Sequence, residues 1–141
     1  FENQLKENKT LVSMKNNGQK VNFSTYKSGK GHINHPCSKW VRESVSNYKW
    51  LCSLGIQLCN EKLYRWPKNK QHSCLGHLEV LNMNIPSFLP FGPITRYALA
   101  MPEEYRQESV VDSYRLYYNE DKQNLFKWTN RIIPEWVEII N

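Results

Sequence analysis

The chain has 141 residues, 40% of them hydrophobic and 23% charged, with a net charge of +6. That length supports one core that buries about two-thirds of the surface an unfolded chain exposes, so neither a disulfide framework nor a metal is required for folding. The composition excludes collagen-like and wholly disordered chains. No run of about 18 apolar residues and no early apolar signal segment occurs, which predicts a soluble, intracellular protein with no membrane partner.

The basicity is uneven. Residues 1 to 80 carry thirteen Lys and Arg against five Asp and Glu, a net +8, whereas residues 81 to 141 carry a net −2. Such asymmetry fits a polyanionic partner, with a solvated basic face as the plain alternative. Cys37, Cys52, Cys59 and Cys74 lack the dense spacing of a secreted scaffold and are read as reduced thiols. The sequence opens on Phe1 rather than Met, which leaves room for residues before it.

From Asn3 to Asn16, Leu5, Leu11, Val12 and Met14 form a thin apolar stripe, read as a short amphipathic helix that stops at Asn17-Gly18. Residues 18 to 34, rich in Gly, Ser and Lys, read as an extended loop. From His35-Pro36, Trp40, Val41, Val45, Tyr48, Leu51, Cys52, Leu58 and Cys59 recur mostly at three- and four-residue steps. The spacing predicts one long helix ending before Pro67, with Gly55 marking a close approach of another backbone.

A shorter helix is predicted over Leu75 to Met83. Pro86, Pro90, Pro93 and Pro102 then forbid regular helix, so residues 84 to 101 read as an ordered apolar loop whose Phe88, Leu89, Phe91, Ile94, Tyr97 and Leu99 cover the core. Met101-Pro102-Glu103-Glu104 opens a further turn. Ser109 with Asp112 caps a helix carrying Tyr114, Leu116, Tyr117, Tyr118, Leu125 and Phe126. Ile133-Pro134-Glu135 starts a short terminal turn through Trp136 and Ile139. The fold class expected is all-α: a compact single-domain helical fold with a long central helix and ordered proline-rich loops.

Three groups of residues carry chemistry. His32, Asn34, His35 and Cys37 gather at the start of the long helix, where oriented N–H groups favour an anion. Lys39, Arg42, Glu43 and Asn47 follow on neighbouring turns and are suited to a backbone phosphate, with Glu43 or a histidine as acid or base. Helix capping and a solvated polar face account for the same residues without a ligand. A second basic cluster, Lys62, Arg65, Lys68, Lys70 and His72, is interleaved with Tyr64 and Trp66. Cations beside aromatic planes are what a single-stranded or flipped-base site uses, although the rings can equally be half-buried.

Two zinc-ligand sets can be drawn, His32, His35 and Cys37 or His72, Cys74 and His77. Neither has the two-cysteine knuckle of structural zinc sites, so no metal and no cofactor is assigned. Tyr114-Arg115-Leu116-Tyr117-Tyr118 reads as helix core with a polar edge, while Trp128, Arg131 and Trp136 pin the C-terminus through a cation–π contact. No P-loop, G-x-S-x-G elbow, H-E-x-x-H or dinucleotide fingerprint is present.

His32-Ile33-Asn34-His35-Pro36-Cys37, Lys39-Trp40-Val41-Arg42-Glu43-Ser44, Asn47-Tyr48-Lys49-Trp50-Leu51, Leu63-Tyr64-Arg65-Trp66-Pro67-Lys68, Met101-Pro102-Glu103-Glu104-Tyr105 and Ser113-Tyr114-Arg115-Leu116-Tyr117-Tyr118 occur in that order. This order resembles a family of small phage and large-DNA-virus proteins, distant relatives of the phage pyrimidine-dimer DNA glycosylases of the endonuclease V type. The resemblance spans residues 26 to 137. It implies a viral protein of the host cytoplasm, nucleus or virion, with an endonuclease-V-like α-helical domain over 26–141 after a poorly matched N-terminal helix and loop over 1–25. It also implies a compact all-α domain that grips damaged or modified DNA, flips a nucleotide and cleaves the glycosidic bond, as DNA N-glycosylase with AP-lyase activity. In that family the nucleophile is the mature N-terminal amine, aided by a carboxylate on the first helix. Residues 1–25 do not match, so Phe1 is not equated with the nucleophile and no catalytic residue is assigned.

The nucleic-acid-binding residues implied are His32, Asn34, His35, Arg42, Asn47, Arg65, Lys68, His72, Tyr105, Tyr114 and Arg115. His35, Arg42 and Arg65 would position phosphate, Asn47 would orient a base or water, and Tyr105 or Tyr114 would stack. The competing expectation is a non-catalytic structural component of a virion or nucleoprotein assembly, with the apolar loop 84–101 as its partner surface.

Overall fold

The structure is a computed structural model that describes residues 14–16, 19–21 and 32–138. The fold is all-α, with one two-stranded hairpin, three residues to a strand, as its only sheet among the described residues. Strand β1 (Met14–Asn16) pairs antiparallel with β2 (Gln19–Val21), Met14 opposite Val21 and Asn16 opposite Gln19. The predicted helix over Asn3 to Asn16 is therefore corrected at its end. The Asn17-Gly18 dipeptide between the strands is the sequence a two-residue hairpin connection favours over a helix terminus. The rest of that predicted helix, and most of the loop predicted over 18–34, lie outside the described residues.

The predicted long helix is two helices, α1 (Pro36–Trp40) and α2 (Val45–Arg65). The break has a local cause. Ser44 takes an extended conformation, φ −156° and ψ 159°, and its Oγ accepts from the Asn47 N–H at 3.1 Å, which is an N-cap that restarts the helix. The first backbone N–H of α2, on Val45, donates to Pro90 O across the fold at 2.9 Å. Apolar periodicity runs through the break because both helices bury the same side of the chain; only the cap residues betray it.

Helix α3 (Cys74–Met83) packs along α2. Gly55 lies at their close approach, where the Leu78 side chain, and not another backbone as expected, packs against it. A Cβ on Gly55 would stand 2.8 Å from Leu78 Cδ1, inside van der Waals contact. Residues 84 to 102 are irregular and ordered. A 3₁₀ turn over Glu103–Tyr105 leads into α4 (Val110–Asp121), whose Ser109 cap accepts from the Asp112 N–H at 3.2 Å, as the sequence predicts. Helix α4 ends at Asp121, so Leu125 and Phe126 fall in and after a second 3₁₀ turn, Gln123–Leu125. The terminal turn at Pro134 is a single one, closed by Val137 N–H to Pro134 O.

The core comprises Trp40, Cys52, Cys59, Val80, Leu89 and Met101, all under a tenth exposed. All four cysteines are free thiols. Of the loop residues expected to cover the core, Leu89 does so; Phe91 stands 95% exposed, and Phe88, Ile94 and Tyr97 face solvent in part. No described helix is long and apolar enough to cross a membrane.

Candidate nucleic-acid interface

Helix α2 organises the candidate residues. Its 21 residues extend about 30 Å, which separates the two basic clusters to opposite ends. His32, Asn34, His35 and Arg42 lie at the N-terminal end; Arg65, Lys68 and His72 lie at the other. His35 and Arg42 thus stand at the opposite end of α2 from Arg65.

The N-terminal end is sewn to the proline-rich loop. Asn47, fully buried, donates through Nδ2 to Trp40 O at 2.8 Å and to Thr95 Oγ1 at 2.7 Å, and its Oδ1 accepts from the Thr95 N–H at 3.0 Å. Thr95 Oγ1 in turn donates to Glu43 at 2.6 Å, and the Ser44 and Ser46 hydroxyls donate to Pro93 O and Gly92 O. Asn47 is thus corrected from a base- or water-orienting residue to a fastener whose amide is already spent. His35 Nδ1 accepts from the Cys37 N–H at 3.2 Å and caps α1, which at five residues is too short to build an anion site. Exposed Arg42 is tethered to Ile33 O at 2.8 Å, and His32 and Asn34 are exposed beside it.

The C-terminal end is held by an ion pair with three arms. Glu61 accepts from Arg65 Nε at 2.7 Å and from both Arg131 Nε and Nη2, at 2.8 and 2.5 Å. Arg65 also donates to Lys127 O at 2.7 Å and lies 5.5 Å from the Trp128 ring centre, and Arg131 stacks 3.9 Å above Tyr64. Arg65 thus acts as a clasp for the C-terminal segment through its Nε and Nη1. Asn130, the one described non-glycine residue with positive φ (56°), turns that segment back and donates to Arg65 O, capping α2. The cation–π contact expected of Arg131 with Trp128 or Trp136 is corrected: Arg131 takes Tyr64 as its ring, while Arg65 serves Trp128 and Arg115 lies 6.0 Å from Trp136.

Hydrogen bonds from Arg131 and then Arg65 hold the Glu61 carboxyl down at about 2, well below its ordinary value. A depressed folded-state value stabilises the fold above the ordinary carboxyl range and is lost as pH falls from about 4.5 through about 2. Glu61→Gln is expected to flatten the decline of Tm between pH 5 and pH 2; an unchanged decline would mean that the clasp contributes nothing to stability.

The remaining candidates separate by environment. Tyr114 is corrected from a stacking ligand to a strut: its hydroxyl donates to Ala98 O at 2.7 Å and accepts from the Ala100 N–H at 3.3 Å. Tyr105 packs on Tyr117, and its phenol is held above the usual range, first by desolvation and then by Asp121, Glu104 and Glu120. Those acids repel phosphate there. Arg115 is exposed and approaches Asp112 at 4.0 Å. His72 Nδ1 caps the Cys74 N–H at 3.2 Å. Lys68, like Lys39, Lys49 and Lys70, is exposed, and its side chain forms no ion pair or hydrogen bond among the described residues. Among the described residues no three His, Cys, Asp or Glu side chains gather as a metal-ligand set.

Sequence reasoning missed Thr95, Glu61 and Asn130. Each acts on a residue 48 to 70 positions away, so no local pattern marks it. It also missed an aromatic cleft of about 340 Å³ that joins Arg65 and Trp66 to Tyr118, Phe126, Trp128 and Trp136. No family model matches this chain, and no curated protein and no solved structure matches it.

Proposed function

We propose that this protein is a nucleic-acid-binding α-helical module, the reading that its resemblance to endonuclease-V-type viral proteins also implies. The observation that carries it is the supply of uncommitted cations at both ends of α2. Among the described residues the side chains of Lys39 and Lys49 at one end, and of Lys68 and Lys70 at the other, have no protein partner, and the helix between them is about 30 Å long, close to one turn of duplex DNA. The arginines, by contrast, are tied into the fold. Positioning therefore falls to lysines that act as point charges on phosphate. Glycosylase and lyase activity depends on an N-terminal amine and carboxylate outside the described residues, and belongs to the same proposal through the resemblance.

Replacing Lys39, Lys49, Lys68 and Lys70 together by alanine is expected to weaken DNA binding at least tenfold and to lower the slope of log K against log salt by about 3. An unchanged slope overturns the reading. Borohydride trapping on an abasic duplex tests the lyase chemistry, which forms an imine if an amine attacks. The second reading, a structural component of an assembly, draws on Phe91 and Ile132, 95% and 93% exposed. Salt-insensitive DNA binding together with self-association in sedimentation equilibrium would favour it.

A further inference from the structure

We infer that the cleft beside the C-terminal end of α2 binds unpaired bases of a single-stranded nucleic acid by stacking. The inference rests on the nucleic-acid reading above and gives it a site. The cleft floor is built from four separate parts of the chain: the end of α2, α4, the segment after it and the terminal turn. Tyr118 and Phe126 lie nearly parallel, 8° apart with centres 6.3 Å distant, while Phe126 meets Trp128 at 5.6 Å and Trp136 edge-on at 6.1 Å. The rings pack on one another and line a cleft that is open to solvent on one side. Trp66 is 36%, Tyr118 42% and Leu125 63% exposed at its mouth.

Charge decides what such a cleft takes. Lys127 lines it, and Lys68 stands in the turn closed by Asn69 N–H to Trp66 O, so uncompensated cations flank the rings. The Glu61 carboxylate is neutralised by Arg65 and Arg131, and Glu138 lines the adjoining pocket, which shares Phe126 and Trp128 with the cleft. Arg65, its guanidinium carbon 5.5 Å from the Trp128 ring centre, adds a cation beside the rings. Planar faces with flanking cations match a base and its phosphate, and base–aromatic stacking is tolerant of sequence. An apolar peptide would use the rings but leave the cations idle.

The test compares fluorescently labelled oligo-dT with an abasic deoxyribose-phosphate strand of equal length, by anisotropy on the full chain at 0.1 M salt. The expected result is that oligo-dT binds about tenfold tighter or more and quenches tryptophan fluorescence, since each stacked base contributes about 1–3 kcal/mol. Trp66→Ala with Tyr118→Ala should reduce oligo-dT to the abasic level without changing abasic affinity, and Trp66→Phe should retain the preference. Should the double variant fail to fold, Leu125→Glu, a change at an exposed mouth position, is expected to abolish the same preference. Equal binding of the two strands overturns this inference and leaves the nucleic-acid reading standing. No binding of either strand or of duplex overturns both.

Discussion

Asn47→Ala is expected to lower folding stability by about 3–5 kcal/mol, read as a fall in the urea midpoint with an unchanged m-value. The substitution removes a side chain with no exposed surface, orphans the Thr95 N–H, which among the described residues is hydrogen-bonded only through that amide, and leaves Trp40 O with the Glu43 N–H alone. A buried donor or acceptor left unpaired costs about 1–3 kcal/mol, more than the net value of the bond itself. Asn47→Asp should be comparably damaging, because a carboxylate cannot donate to Trp40 O and would carry charge into the interior. A double-mutant cycle with Thr95→Ala should show coupling of about 0.5–3 kcal/mol. Additive effects would mean that the loop is held elsewhere.

Trp40→Ala is the other large effect, again about 3–5 kcal/mol. Trp40 is 4% exposed, with Trp50 edge-on at 5.6 Å and Tyr97 at 5.3 Å, and its indole N–H donates to Thr95 O at 3.4 Å. Truncation opens a cavity at the place where α1, α2 and the loop meet. Near-UV circular dichroism should lose the signal of that ring cluster, and the thermal transition should shift down. Trp40→Phe keeps a ring in the cluster and loses the indole bond, so it should cost about 1 kcal/mol for that bond plus the smaller packing loss. A Trp40→Ala protein of wild-type stability would show that this junction is not part of the core.

Both effects converge on a junction that the sequence marks only indirectly. Ser44 three residues before Asn47 is a legible cap signal, yet the apolar spacing from Trp40 to Cys59 masks it, because periodicity reports which side is buried and not whether the backbone is continuous. The Ser109 cap, the start of the terminal turn at Pro134 and the close approach at Gly55 were legible because each is a local rule of backbone conformation or packing space. Arg65 illustrates the reverse. A basic residue beside Tyr64 and Trp66 reads as a phosphate ligand until Glu61 and the distant Lys127 carbonyl claim its donors.

From the sequence alone, then, come the all-α class, the proline-rich loop, two of the helix starts and the basic character of the first 80 residues, all set by dihedral preference, periodicity and charge. The tertiary structure decided which cations are available. Arginines with several directional donors are drawn into carbonyl and carboxylate contacts between distant segments, as Arg65 and Arg131 are, while exposed lysines such as Lys68 and Lys70 stay in water. It also decided the aromatic cleft, whose residues are up to 71 positions apart and share a surface because the Glu61 clasp, the Arg65 and Asn130 bonds and the Asn119 bond to Trp136 O hold the C-terminal segment against the helices.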